Sequence, residues 1–176
     1  VSSLQEPVLK IVCGNDHTLL LGKSGAVYAF GRGNVGQPGL QTRDHTTTPQ
    51  RVDTLAPYQV VQIAAGANHS VALTDANQVF CFGNGGGGQL GLGDCVSVAH
   101  PVQVVLDPGP RVWRIGAGGD ATFCVMQAPG QAEDGLESGV QHSEGVMKLD
   151  SLMDMFETLG QQGHGEVLDA NILRVS

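Results

Sequence analysis

The chain has 176 residues, of which 41% are hydrophobic, 15% charged and 5% aromatic, with 26 glycines. This suits one ordinary domain with a sizeable core; it excludes charge-driven disorder and collagen, and no apolar run nears the roughly 18 residues of a membrane span. The net charge of −8 is uneven, with 7 basic and 8 acidic side chains in residues 1–125 against 2 and 9 in residues 126–176, and neither part has the basic patch that direct nucleic-acid binding needs.

The chain opens on Val1 and not Met, as a piece of a longer protein would, and no secretory signal stands there. From residue 8 it repeats itself with a period of 52 and no insertion. In the first unit Thr18-Leu-Leu-Leu21 and Ala26-Val-Tyr-Ala-Phe30 read as strands joined by the turn Gly22-Lys-Ser-Gly25. In the second, Ser70–Leu73 and Gln78–Phe82 flank Thr74-Asp-Ala-Asn77. Val8, Ile11 and Gly14 recur as Val60, Ile63 and Gly66, then as Val112, Ile115 and Gly118. His17, Gly31, Gly33, Gly36 and Gln37 recur as His69, Gly83, Gly85, Gly88 and Gln89, whereas the third unit has Ala121 at the histidine position. The third unit stops after its first hairpin strand, so its next arm is expected to be missing. Several short strands per unit of about 50 residues, with glycine-rich turns, point to β-propeller blades.

After Met126 the composition changes. Residues 126–145 read as a flexible linker rich in Gly, Gln and Glu. Val146, Leu149, Leu152, Met153, Phe156 and Leu159 then fall at helical spacing, and Glu166 to Leu173 reads as a second, shorter helix, so residues 146–176 are expected to form an acidic helix-loop-helix.

Ile63-Ala-Ala-Gly-Ala-Asn-His-Ser-Val-Ala-Leu73 followed by Val79-Phe-Cys-Phe-Gly83 and the glycine run to Asp94 resembles the regulator of chromosome condensation repeat. Cys13-Gly-Asn-Asp-His-Thr18 with Val27–Gly31 is similar. The resemblance covers residues 8–125, about 2.4 units, and implies four-stranded blades that close as a ring of seven. The expected fold is therefore all-β, a partial, open propeller of two to three blades, followed by the helical tail. The tail faintly resembles an EF-hand, with Phe156 before the loop and Gly165 and Val167 within it. However, Gly160, Gln162, His164 and Asn171 stand where oxygen-donating acids normally bind calcium, which argues against a metal there.

Several patterns suggest chemistry, and the repeat accounts for each of them. Gly31-x-Gly33-x-x-Gly36 and its copy at Gly83, Gly85 and Gly88 fit a dinucleotide fingerprint, but Gln37-Pro and Gln89-Leu-Gly do not begin a helix. His17 and His69 lack a recurring acid beside them, which argues against a catalytic triad. The resemblance implies that they tie neighbouring blade loops together, with a weaker tie at Ala121. Cys13, Cys81 and Cys124 fall at small apolar positions and are expected to be buried, reduced thiols, leaving Cys95 as the reactive one. Such thiols suit an intracellular setting, cytoplasmic or nuclear and not secreted. A light-sensing relative uses a tryptophan cluster, which the single Trp113 cannot build.

No catalytic, cofactor or metal residues are expected. The expected function is a non-enzymatic protein-interaction or scaffold module, part of a larger protein or assembly. Other proteins are the expected partners, including a chain that completes the propeller, with neither nucleic acid nor membrane. The loops Thr42–Thr48 and Cys95–His100 align in length but share little sequence, so specificity is sought there. Candidate contacts are Arg43, Asp44, His45, Asp94, Cys95, Trp113, Met153 and Phe156. The family resemblance implies two alternatives: a guanine-nucleotide exchange factor for a Ran-like small GTPase, and a regulatory appendage of a ubiquitin ligase or kinase. Unpaired strand edges at both ends of an open arc make the isolated chain marginal or oligomeric.

Overall fold

The computed structural model describes residue 4, residues 6–106 and 111–126, and the backbone of residues 172–175. Two antiparallel sheets of four strands run in simple meander order. The first holds β1 (Val8–Cys13), β2 (His17–Gly22), β3 (Val27–Gly31) and β4 (Thr46–Arg51). The second holds β5 (Val60–Ala65), β6 (His69–Thr74), β7 (Val79–Gly83) and β8 (Val98–Gln103). The third has β9 (Val112–Gly118), β10 (Ala121–Met126) and β11 (Ile172–Val175). Each sheet is one blade, and the three lie side by side as an open arc.

The hairpin turns show how one backbone shape is met by two residue types. Gly25 (φ 80°) closes the first turn and Asn77 (φ 62°) the second, Asn being among the few side chains that tolerate this region. Asn77 does further work, because its Oδ1 accepts the Val112 N–H of the next blade at 2.8 Å.

The strands alternate residues between two faces, and each face serves a different interface. Leu19, Leu21, Val27 and Ala29 of blade 1, with Val52 and Leu55 beyond its last strand, pack against Ile63, Ala72, Phe80 and Phe82 of blade 2. The opposite face of blade 2, with Val71, Leu73, Val79 and Cys81, packs with Leu90 and Val104 against Ile115 and Cys124 of blade 3. The core therefore lies between blades. Each fully buried Leu, Ile or Phe there contributes roughly 1.5–3 kcal/mol. The outermost strands β4 and β8 each carry a proline, Pro49 and Pro101, which blunts a sheet edge against further pairing.

The arm expected to be missing from blade 3 is present. β11 pairs antiparallel with β10 through Val125–Ile172, Cys124–Leu173, Phe123–Arg174 and Thr122–Val175. The same register joins β2 to β3 and β6 to β7, so Ile172 stands where Val27 and Val79 stand. Residues 172–173 were expected to end a helix. They are strand instead, in an Ile-Leu-x-Val run of high β-propensity that supplies partners to the β10 edge. The remainder of the expected linker and helix-loop-helix, with the EF-hand-like positions and with Met153 and Phe156, lies outside the described residues. Two of the expected loops are shorter than the sequence suggests, because Thr46–Thr48 already belong to β4 and Val98–His100 to β8.

Candidate functional site

The two repeated histidines lie at the blade junctions, His17 3% and His69 0% exposed. His17 Nε2 is 2.9 Å from Ser70 Oγ of blade 2, and that hydroxyl donates to the Gln37 carbonyl of blade 1 at 2.7 Å. One step along, His69 Nε2 is 2.9 Å from Thr122 Oγ1 of blade 3, which donates to the Gln89 carbonyl at 2.8 Å. A hydroxyl has one proton to give. Because it goes to the carbonyl, the imidazole must be the donor at Nε2, and Nδ1 carries no proton. Both Nδ1 atoms are buried without a partner. Burial holds both rings neutral, with their pKa pulled down to about 4.

The neighbouring repeat residues make room for this arrangement. A Cβ on Gly14 or Gly66 would run into the imidazole of His17 or His69. Gly31 (φ 113°) and Gly83 (φ 105°) take a backbone conformation that L side chains avoid; the amides that follow them, of Arg32 and Asn84, donate to Asp16 and Asn68 carbonyls at 2.8 Å. Gly36 and Gly88 close turns on the carbonyls of Gly33 and Gly85, at 2.7 and 2.9 Å. Gln37 and Gln89 are buried, and each Oε1 accepts a loop amide, from Val35 at 3.2 Å and Gly87 at 2.8 Å. Gly118 ends β9, paired with Ala121, where no imidazole is present.

A serine beside a histidine is also the arrangement of nucleophilic catalysis. Here the hydroxyl proton is engaged by a carbonyl, no carboxylate bonds Nδ1, and both groups are closed to solvent. The geometry fastens blades together. Ser70 and Thr122 were not singled out in the sequence, although Thr18, Ser70 and Thr122 form a hydroxyl series at the 52-residue period. A second fastening was also missed: Gln62 donates to the Trp113 carbonyl at 2.7 Å and accepts the Ile115 N–H at 3.1 Å.

The candidate contact residues divide into two groups. Arg43, Asp44 and His45 lie on the loop from β3 to β4, and Asp94 and Cys95 on the loop from β7 to β8. The loops meet, because Arg43 Nη2 donates to the Ser97 carbonyl at 3.3 Å and the Gln41 N–H to the Ala99 carbonyl at 2.8 Å. Asp44 accepts the Thr42 hydroxyl at 2.6 Å, and Asp94 caps its own turn on the Val96 N–H at 3.1 Å. His45, Cys95 and Val96 are exposed. Trp113 lies apart from them on β9, 43% exposed.

The thiols correct one expectation. Cys81 and Cys124 are buried, and burial pushes the Cys124 thiol up to about 11 and that of Cys81 higher still. Cys13 is exposed, like Cys95. Its counterparts Ala65 and Ala117 have a blade in front of them, whereas β1 has none among the described residues. No group of three or more His, Cys, Asp or Glu side chains is placed to hold a metal ion among these residues. Nor is any described helix long and apolar enough to cross a membrane.

Residues 24–73 and 77–125 match the regulator of chromosome condensation (RCC1) repeat, and a second description of that repeat matches residues 8–37 and 60–89. The human protein named probable E3 ubiquitin-protein ligase HERC6 is 34% identical over 128 residues, covering 71% of this chain and 12% of the ligase. The crystal structure of human WBSCR16 superposes with a TM-score of 0.67 at 28% identity, covering 72% of this chain and 32% of that one. Prp20p from Saccharomyces cerevisiae, whose structure was described with its binding to Gsp1p and histones, superposes at 0.61 with 20% identity, over 71% and 32% of the two chains. The chain thus spans about an eighth of the ligase and about a third of each solved relative.

Proposed function

The chain belongs to the regulator of chromosome condensation repeat family, and from that premise we propose that its arc is a non-enzymatic protein-interaction module, with the paired loops after β3 and β7 as the contact surface. One observation carries this reading. The same buried ties hold two loops of equal length whose exposed side chains differ, and Arg43 joins those loops into one surface. A rigid frame presenting variable loops is how binding sites are commonly built. In a much longer protein such a module supplies recognition, and any chemistry belongs to other domains.

The test exchanges residues 42–45 for residues 94–97, and the reverse, and compares each variant with the parent in cross-linking and affinity capture under native conditions. Loss of the same captured proteins from both variants, with unchanged melting, is the expected result. Capture unaffected by either exchange would remove the loops from the interface. The exchange-factor alternative is tested by nucleotide release from a loaded Ran-like GTPase. The interaction-module reading expects no acceleration at micromolar protein.

A further inference from the structure

The sequence holds eight prolines, and only Pro49 follows a serine or threonine. Thr48-Pro49-Gln50-Arg51 sets a hydroxyl, a proline next to it and a cation three residues on in one short run. That run lies on β4, the outermost strand of blade 1. The β3–β4 ladder steps from Ala29–Gln50 to Gly31–Thr46, so Phe30 alone stands opposite Thr47, Thr48 and Pro49. Two extra residues therefore bulge from the edge, outside regular pairing. Thr48 and Arg51 are exposed and Pro49 is half-buried. Thr46 is engaged: its hydroxyl donates to the Thr48 carbonyl at 3.1 Å and accepts from Gln50 Nε2 at 3.2 Å. Thr47 is exposed but is not followed by proline. Thr48 alone joins an exposed hydroxyl to a following proline. The same place is exposed in blade 2, where a neighbour is present. There His100 stands on an equivalent bulge, between Cys81–Val102 and Gly83–Val98, although the Gln41 N–H of blade 1 reaches the adjoining Ala99 carbonyl.

We propose that Thr48 is a phosphorylation site for a proline-directed protein kinase whose peptide groove carries an acidic subsite beyond its proline pocket. Proline holds the residue before it extended and brings no N–H that a groove must satisfy. An apolar pocket closing on residue 49 therefore selects it, and Arg51 offers its charge to the acid further along. The bulge lets the hydroxyl reach the groove while the pairs at Ala29 and Gly31 are kept. Thr48 Oγ1 attacks the γ-phosphorus of ATP, the bond from that phosphorus to the bridging oxygen breaks, and ADP leaves. The hydroxyl proton passes to the catalytic carboxylate of the kinase. The product carries about −1.5 to −2 charges at neutral pH on the rim of the blade. Thr48 lies outside the exchanged segments 42–45 and 94–97, so failure here leaves the loop reading standing.

The test incubates the full chain with a purified cyclin-dependent kinase and its cyclin, magnesium and ATP, and maps phosphate by mass spectrometry. A closing maleimide pulse certifies the fold, because the buried Cys81 and Cys124 stay unlabelled in a folded chain. The expected result is phosphate on Thr48, formed within about tenfold of the rate on a free peptide of residues 43–54, since the bulge needs little opening. Thr48→Val abolishes it and Thr47→Val leaves it unchanged. Pro49→Ala slows it about tenfold or more, in the chain and in the peptide alike, which separates recognition from folding. Arg51→Ala slows it by a smaller factor. Phosphate on the peptide but not on the folded chain would overturn the proposal. So would phosphate on another residue instead of Thr48, phosphate confined to chains whose Cys81 and Cys124 are labelled, a rate indifferent to Pro49→Ala, or no phosphate on chain and peptide alike.

Discussion

Blade 2 and blade 3 receive the same tie and differ in what they pass on. Blade 2 takes the imidazole of His17 on Ser70 and offers His69 to Thr122. Blade 3 takes His69 and has Ala121 to offer. Its third strand differs too. The period places that strand at residue 131, and it comes at residue 172, in the register of the other blades. The blade frame thus tolerates loss of the outgoing histidine and a long detour between hairpin arms, while the hydroxyl and the isoleucine facing the preceding blade are kept. The incoming face is what builds the arc.

The difference between tied and untied positions is sharpest in acid. Both histidines titrate near 6.5 when unfolded and near 4 when folded. Above pH 6.5 neither state is protonated and the stability is full. Between 6.5 and 4 the unfolded chain binds protons that the folded chain refuses, so stability falls as pH falls. The loss reaches about 3 kcal/mol per ring below pH 4. Denaturant titrations across this range should show the decline, and replacing both rings by Gln should flatten it.

The next largest contrast is between Phe82, buried at a blade junction, and its half-buried counterpart Phe30. Phe82→Ala should cost about 3–5 kcal/mol in chemical denaturation. Phe30→Ala should cost less than half as much in the same assay. Removing one imaginable link at a time is milder. His69→Ala leaves the Thr122 hydroxyl and the Gln89 carbonyl paired with each other, and should cost about 1–3 kcal/mol. The cost should shrink in a Thr122→Val background, because the two residues are coupled. Smaller again is Asn77→Ala, which keeps the turn but places an ordinary side chain at φ 62° and removes the acceptor for Val112. About 1–2 kcal/mol is expected, read as a lowered melting temperature.

Much of this was legible in the residues. The period, the hairpins and the glycines beside each histidine follow from matches at one offset, since a blade must solve the same packing problem each time. Three features were hidden for physical reasons. The partners of His17 and His69 are Ser70 and Thr122, hydroxyls that read as ordinary strand residues until the fold sets one blade against the next. Ile11 carries the same letter as the buried Ile63 and Ile115 yet is exposed in the described structure, a difference that a repeat pattern does not encode. Ile172–Val175 pairs with a strand some fifty residues earlier, off the period, and long-range pairing leaves no local signal.

Histidine-to-hydroxyl ties fasten each blade to the next, and the hydroxyl series tests them most directly. Thr18, Ser70 and Thr122 occupy one repeat position, so Thr18→Val, Ser70→Ala and Thr122→Val can be compared by equilibrium denaturation in the same chain. The prediction is a loss of about 1–3 kcal/mol for each of the two internal hydroxyls and under about 0.5 kcal/mol for Thr18. Three equal losses, or none at all, would contradict it.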